Sequence, residues 1–505
     1  MIWLQPLIVT LQLMGLSLLI SLLGVPLAFC ISGMKPRSWC ARFCVASLIA
    51  AIATPMVLHA AAWEATAGKF GWMTFSQTAA RTYGGLGGIY SGLIACAWIH
   101  GIMGLSFVTL ATHYAVSRIP SAILDQARLD GGSAWVWWRI GLTIGWPWVM
   151  TALLATALLA ATEMTVVNLY GVRTLAEEFY LLHAAAPSSA SVFKVLVVPS
   201  LIAFAFLFGV LLPARKRKQT RLLSSIRSDE EIAAYQSGYH VLTTFLGVLG
   251  CGLLFLFPLF GLIIRAGQVV QVAEDGSGLV DVHWSLVEWV RVLGYAPVGF
   301  GREYMWTSVL AIATAVFCLP LAWLLASLSR QFPWVARLAT LATVVLFVLP
   351  GPIVGLSVVR FFALPIPGFA ELYRQTLFPT VLSVSARALP ICYWILRAGY
   401  WGIDDRILEM SRLDYSPVWR WLRVDRVMLA RPLVIAFVAA GLSAAADVPA
   451  TLPVQPPGVV TAGTRLFALI HSGARNQESA LAFWYASFAV LLAMGISVRW
   501  KKVPQ

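Results

Sequence analysis

Runs of about twenty apolar residues recur along this chain from Leu7 to Val498, and charge is confined largely to the short segments between them. A helix needs roughly 20 apolar residues to cross a bilayer core, where every backbone N–H and C=O must find its partner inside the segment. Composition agrees: 59% of the residues are hydrophobic and 11% charged, against about 25% charged in a soluble domain. The chain therefore reads as an all-α polytopic membrane protein. Eleven spans are predicted, near 7–32, 44–63, 89–113, 144–163, 193–213, 241–265, 305–328, 338–363, 376–399, 432–447 and 480–499.

The net charge of +14 could suggest nucleic acid, but its distribution argues otherwise. Lys and Arg gather between apolar runs, as at Lys35, Arg37 and Arg42, at Arg215-Lys216-Arg217-Lys218, and at Arg499, Lys501 and Lys502. No basic soluble domain exists to hold a nucleic acid. With the N-terminus outside, the segments 33–43, 114–143, 214–240, 329–337, 400–431 and the tail become cytoplasmic and hold most of the 36 Lys and Arg. The segment 266–304 falls outside and carries Glu274, Asp275, Asp281, Glu288 and Glu303 against two arginines. This is the positive-inside pattern, and an odd span count puts the C-terminus in the cytoplasm. The seven cysteines form no CxxC pair, so neither a zinc site nor a disulfide framework is indicated. MIWLQPLIVT lacks a basic n-region, so the first apolar segment is expected to be a retained span.

One sentence of the sequence is written twice. ILDQARLDGGSAWVWWRI at Ile123–Ile140 returns as ILEMSRLDYSPVWRWLRV at Ile407–Val424, at a constant offset of 284 residues. Glu163 falls opposite Asp447 at the same offset, and Phe179…His183 echoes Phe467…His471 at 288. The duplication divides the chain into a first transmembrane domain (1–213), a basic linker (214–240), an extra span with its loop (241–304) and a second transmembrane domain (305–505). The extra span keeps both halves the same way up. Internal repeats of this kind suit a transporter.

Within each copy a short helix is expected, then a break at Gly131-Gly132 or at Tyr415-Ser416-Pro417. A second helix rich in Trp and Arg follows, and that composition fits the membrane interface. Asp125-Gln126-Ala127 with Gly131, Ile140 and Leu142 resembles the EAA loop of ABC-importer permeases, and Glu409-Met410-Ser411-Arg412-Leu413-Asp414 resembles it again. The order of spans is also similar, over nearly the whole chain, and closest to the fused permeases of the ferric-iron and thiamine branch.

The resemblance implies the type I ABC-importer permease fold in the bacterial inner membrane, with 5 + 1 + 5 helices. It implies that two ATPase subunits dock on Asp125, Gln126, Ala127, Asp130 and Gly131 and on Glu409, Met410, Ser411, Asp414 and Tyr415. An extracytoplasmic binding protein would sit on the opposite side. ATP would be bound by those partners, since this chain has no GxxxxGK[ST] loop and is expected to hold no cofactor and perform no catalysis itself. Departures from the pattern, with Asp125 for Glu and Tyr415 for Gly, imply two unequal docking sites.

Glu163, Asp447 and Arg387 are candidate pathway residues, because an ionisable group near a span needs a reason to be there. The competing reading of the two carboxylates is a helix cap or an interhelical hydrogen bond. His59, His100 and His113 share no metal-ligand spacing. Ferric iron is the expected substrate, ahead of thiamine, polyamine or phosphonate. An ATP-independent secondary transporter or channel is the alternative; a membrane-embedded enzyme would need clustered His, Asp or Glu on neighbouring spans.

Overall fold

In the computed structural model the apolar runs are helices, as a backbone surrounded by lipid requires. The structure describes all residues except 1–2, 36–37, 69–70, 72–91, 118, 120–125, 127–128, 130–132, 186–191, 193, 206–239, 273–279, 404 and 500–505. In chain order the elements used below are α1 (Leu4–Leu22), α2 (Gly24–Ser32), α3 (Trp39–Ala53), α4 (Met56–Ala67), α5 (Gly92–Ser117), α6 (Leu142–Thr162), α7 (Thr165–Leu169) and α8 (Leu175–Ala185). Next come α9 (His240–Cys251), α10 (Phe257–Ala266), the antiparallel hairpin β1 (Gln268–Val272) and β2 (Val280–Trp284), and α11 (Leu286–Gly299). The remainder is α12 (Gly301–Gln331), α13 (Pro333–Val348), α14 (Gly351–Phe362), α15 (Phe378–Trp401), α16 (Asp405–Asp414), α17 (Ala430–Ala446), α18 (Val448–Thr451), α19 (Ala462–Ser472) and α20 (Arg475–Arg499).

Among the described residues six helices are long and apolar enough to cross a membrane, or nine when each of three bent pairs counts as one span. Two of those pairs were expected as single spans. The run 44–63 is α3 and α4, bent by 110°, and the run 338–363 is α13 and α14, bent by 102°. Both break at a proline, Pro55 or Pro350, after a residue in extended conformation. Proline's ring excludes the helical conformation from the residue before it. The short run 432–447 is α17, the second arm of a pair bent by 77°. Of the other two expected spans, 480–499 lies within α20, and 193–213 begins as the apolar helix Lys194–Ala205 and then leaves the described residues.

Two compact units make up the chain: residues 1–299 with 468–505, and residues 300–467. In the first, α1, α5 and α6 pack together, while α20 packs on α3, α4 and α10. Small residues bring these backbones close, since lipid offers helices no hydrophobic drive to associate. A Cβ on Gly104 would run into the Ser21 hydroxyl and the Thr156 side chain. Hydroxyls then bond across the gap: Ser21 donates to Gly101 O at 3.3 Å and Thr109 to Gly24 O at 3.2 Å. A buried ion pair fixes α20, with Arg265 Nη2 3.3 Å from Glu478 Oε2.

In the second unit α12, α15 and α17 form the matching three-helix core. It is lined by Ala315, Cys318, Ala322, Ala388, Cys392, Ala436 and Ala440, all fully buried. Gly351 and Gly355 of α14 lie against Pro449, Ala450 and Pro453, where a Cβ would sit 2.9 Å from a proline carbon in each case.

Candidate functional site

Local geometry explains how the repeated motif is presented. In the second copy α16 carries Glu409, Met410, Ser411 and Asp414, and Tyr415 N donates to Ser411 O at 3.1 Å to close its last turn. Ser416 breaks the helix; its carbonyl accepts from Arg420 N at 2.8 Å, starting the short helix Pro417–Arg420. Glu409 and Asp414 are exposed, Met410 is 67% exposed and Ser411 buried. In the first copy Asp125, Ala127, Asp130 and Gly131 lie outside the described residues, while Gln126 is helical and exposed. One matched residue stands out in both: Leu129 is 88% exposed and Leu413 87%. A leucine repeated and left bare twice was visible in the sequence match, but nothing there marked it as exposed.

Each motif then enters its bundle through a π-helical turn, Trp137–Gly141 or Trp421–Asp425, at the same offset of 284. The anchoring chemistry differs. Trp137 is fully buried edge-on to Phe29, with ring centroids 5.1 Å apart. Trp421 leans on Trp323 at 4.0 Å. Beside it Asp425, 2% exposed, accepts from Tyr400 Oη at 2.8 Å, and the Tyr400 oxygen accepts from Trp323 Nε1 at 3.1 Å. Arg330 donates to the Ile403 carbonyl at 3.0 Å and to that of Tyr400. The first copy has Gly141 where the second has Asp425, and Val116 packs beside it. One motif is seated on an apolar contact, the other on a buried polar network.

Glu163 and Asp447 play one structural part twice. Each ends a span and caps the short helix that follows. Glu163 accepts from Thr165 N at 2.6 Å and from Val166 N at 2.9 Å; Asp447 accepts from Ala450 N at 3.1 Å. Each also faces a basic side chain on the preceding long helix. His100 Nε2 lies 3.6 Å from Glu163 Oε2, and Arg387 Nε lies 3.5 Å from Asp447 Oδ2. The structure thus joins Arg387 and Asp447, which the sequence left separate. His100 becomes the partner that spacing could not reveal. Its Nδ1 is bonded to Cys96 O at 2.7 Å.

Two further equivalences refine the repeat. Thr10 accepts from Leu175 N at 2.9 Å, and Thr307 from Ala462 N at 2.8 Å. Thr174 and Thr461 start the helices concerned and stand 287 residues apart. The register here is therefore 287 rather than the 288 of the sequence match, and it pairs buried Phe179 with buried Leu466.

Asn168 Nδ2 donates to Glu177 Oε1 at 2.7 Å, and Asn168 Oδ1 lies 3.0 Å from His471 Nε2. Burial raises the Glu177 carboxyl pKa above its ordinary value, against the opposing pull of that Asn168 bond. Arg397 is packed among Trp394, Trp401 and Tyr393 and bonded to the Tyr393 hydroxyl at 2.9 Å. His59 and His113 are buried or part-buried hydrogen-bonded singles, on Ala51 O at 2.8 Å and Ser32 Oγ at 3.1 Å. The side chain of His183 is outside the described residues. Among the described residues no three His, Cys, Asp or Glu side chains gather as a metal site. No model of a known protein family matches this chain, and no curated protein matches it either. Fold and composition define an all-α protein embedded in a membrane.

Proposed function

We propose that the chain is the membrane permease of an ATP-driven, binding-protein-dependent importer, with both transmembrane domains in one polypeptide. Eleven spans would place the N-terminus outside and the C-terminus in the cytoplasm of a bacterial inner membrane. Separate ATPase subunits would dock on the two motifs, and a binding protein would deliver substrate on the opposite side. Ferric iron is the substrate proposed, on sequence resemblance. The observation that carries the reading is the repeated motif, both copies of which run into a π turn at the same offset and leave Leu129 and Leu413 exposed in matching places.

ATP-driven closure of the ATPases would push on α16 and its counterpart. In the second unit the push reaches the bundle through Trp421 against Trp323, and through Asp425, Tyr400 and Arg330, which tie the π turn to α12 and α15. The far ends of the moving helices carry Glu163 with His100 and Asp447 with Arg387, the groups proposed to line the pathway. The test is charge reversal at both motifs, Asp125→Lys with Glu409→Lys. The double variant is expected to insert normally and lose ATPase association and uptake. Normal association and uptake in that variant would sink the coupling role.

A further inference from the structure

We propose that α11 is an interfacial helix whose outward face lies in the headgroup–acyl boundary of the bilayer, at the end of α10. One side of α11 is fixed to its own unit. Trp289 Nε1 donates to Ile263 O and, from the adjoining strand, Trp284 Nε1 donates to Ile264 O, both at 3.0 Å. The Leu293 carbonyl accepts from Trp484 Nε1 of α20 at 2.9 Å, and Ala296 is buried. These three indole bonds decide which side points away.

The side that points away is apolar. Leu286 is 60% exposed, Val287 78%, Val290 57%, Tyr295 67% and Val298 78%. A helix that faced water on that side would carry polar residues there. The charge on it is Arg291, paired with Glu288 at 2.7 Å and itself 73% exposed. An arginine on the flank of an apolar stripe can lay its stem along the acyl boundary and reach lipid phosphate with its guanidinium.

Continuity with the membrane surface identifies lipid as the occupant. The bonded carbonyls of Ile263 and Ile264 belong to the last turns of the span Val241–Ala266, whose most apolar window is only 33% buried within the chain. Most of the surface of that apolar span is left uncovered by the chain, as a lipid-facing helix requires, and α11 is tied where it ends. At its other end α11 passes through Phe300 into α12, itself a candidate span. Short side chains, mostly Val and Leu, offer a protein partner no aromatic anchor beyond Tyr295. The inference rests on membrane embedding and is independent of the importer reading.

Nitroxide labels test it. Cys40 is the one cysteine of the seven that is not buried, so V287C, V290C and V298C would each be labelled in a Cys40→Ser chain. The chain would sit one copy per nanodisc of phosphatidylcholine and phosphatidylglycerol. The labels are expected to collide more with oxygen than with a water-soluble nickel chelate, at a depth of about 5–10 Å below the phosphates. Chelate collisions as frequent as for a free label would overturn the proposal, as would shielding from both reagents, the mark of a face covered by protein. A label-free arm uses Val290→Glu with Val298→Glu. Amide exchange along α11 in nanodiscs is expected to rise at least tenfold; unchanged exchange would place this face in water already.

Discussion

Glu163 holds two backbone N–H groups and lies against His100, so truncating it strands several partners together. Glu163→Ala is expected to cost about 2–3 kcal/mol, combining a lost cap of about 1 kcal/mol with buried groups left unpaired at about 1–3 kcal/mol. Thermal unfolding in detergent measures it, and Asp447→Ala, which also strips Arg387, should cost at least as much. Glu177 works in the opposite sense. Its folded pKa is raised from an ordinary 4.5, chiefly by burial, so its contribution to stability is full below 4.5 and lost as pH rises toward the folded pKa. Glu177→Gln keeps an acceptor for Asn168 and removes the buried charge. The melting temperature of that variant should exceed the wild type's at pH 7.5 and match it at pH 4. Sequence placed Glu163 and Asp447 in equivalent positions because the repeat is ungapped there. It was silent on His100 and Arg387 as partners, which lie on earlier helices and are set one turn apart from strict equivalence.

Helix packing in this protein rests on small residues rather than on apolar mass. Gly104→Ala is expected to cost about 1–3 kcal/mol by forcing α1 and α6 away from α5. Gly15→Ala meets open space and is expected to stabilise α1 by up to about 1 kcal/mol. Parallel melts of the two variants separate a packing effect from a propensity effect. The spans themselves were legible because each apolar run had to satisfy its own backbone. The bends were less so: a proline marked two of the three breaks, at Thr54-Pro55 and Leu349-Pro350, but the bend angle depends on what the second arm packs against. For α14 that is Pro449, Ala450 and Pro453, a hundred residues further along the chain.

Across the whole molecule the two units repeat one plan: a three-helix core, a bent pair, a π turn and a carboxylate cap. The plan was readable from the doubled motif. The unlike anchoring of its copies was not, since Gly141 and Asp425 acquire meaning only beside Val116 and Tyr400. Under the proposed function, the two copies of the motif predict two docked ATPases. The most direct test is the native mass of the complex purified through this chain with its ATPase. The account predicts two ATPase subunits per chain, one after either single reversal, Asp125→Lys or Glu409→Lys, and none after both. Two ATPases retained in the double variant, or a wild-type chain that binds none, would contradict it.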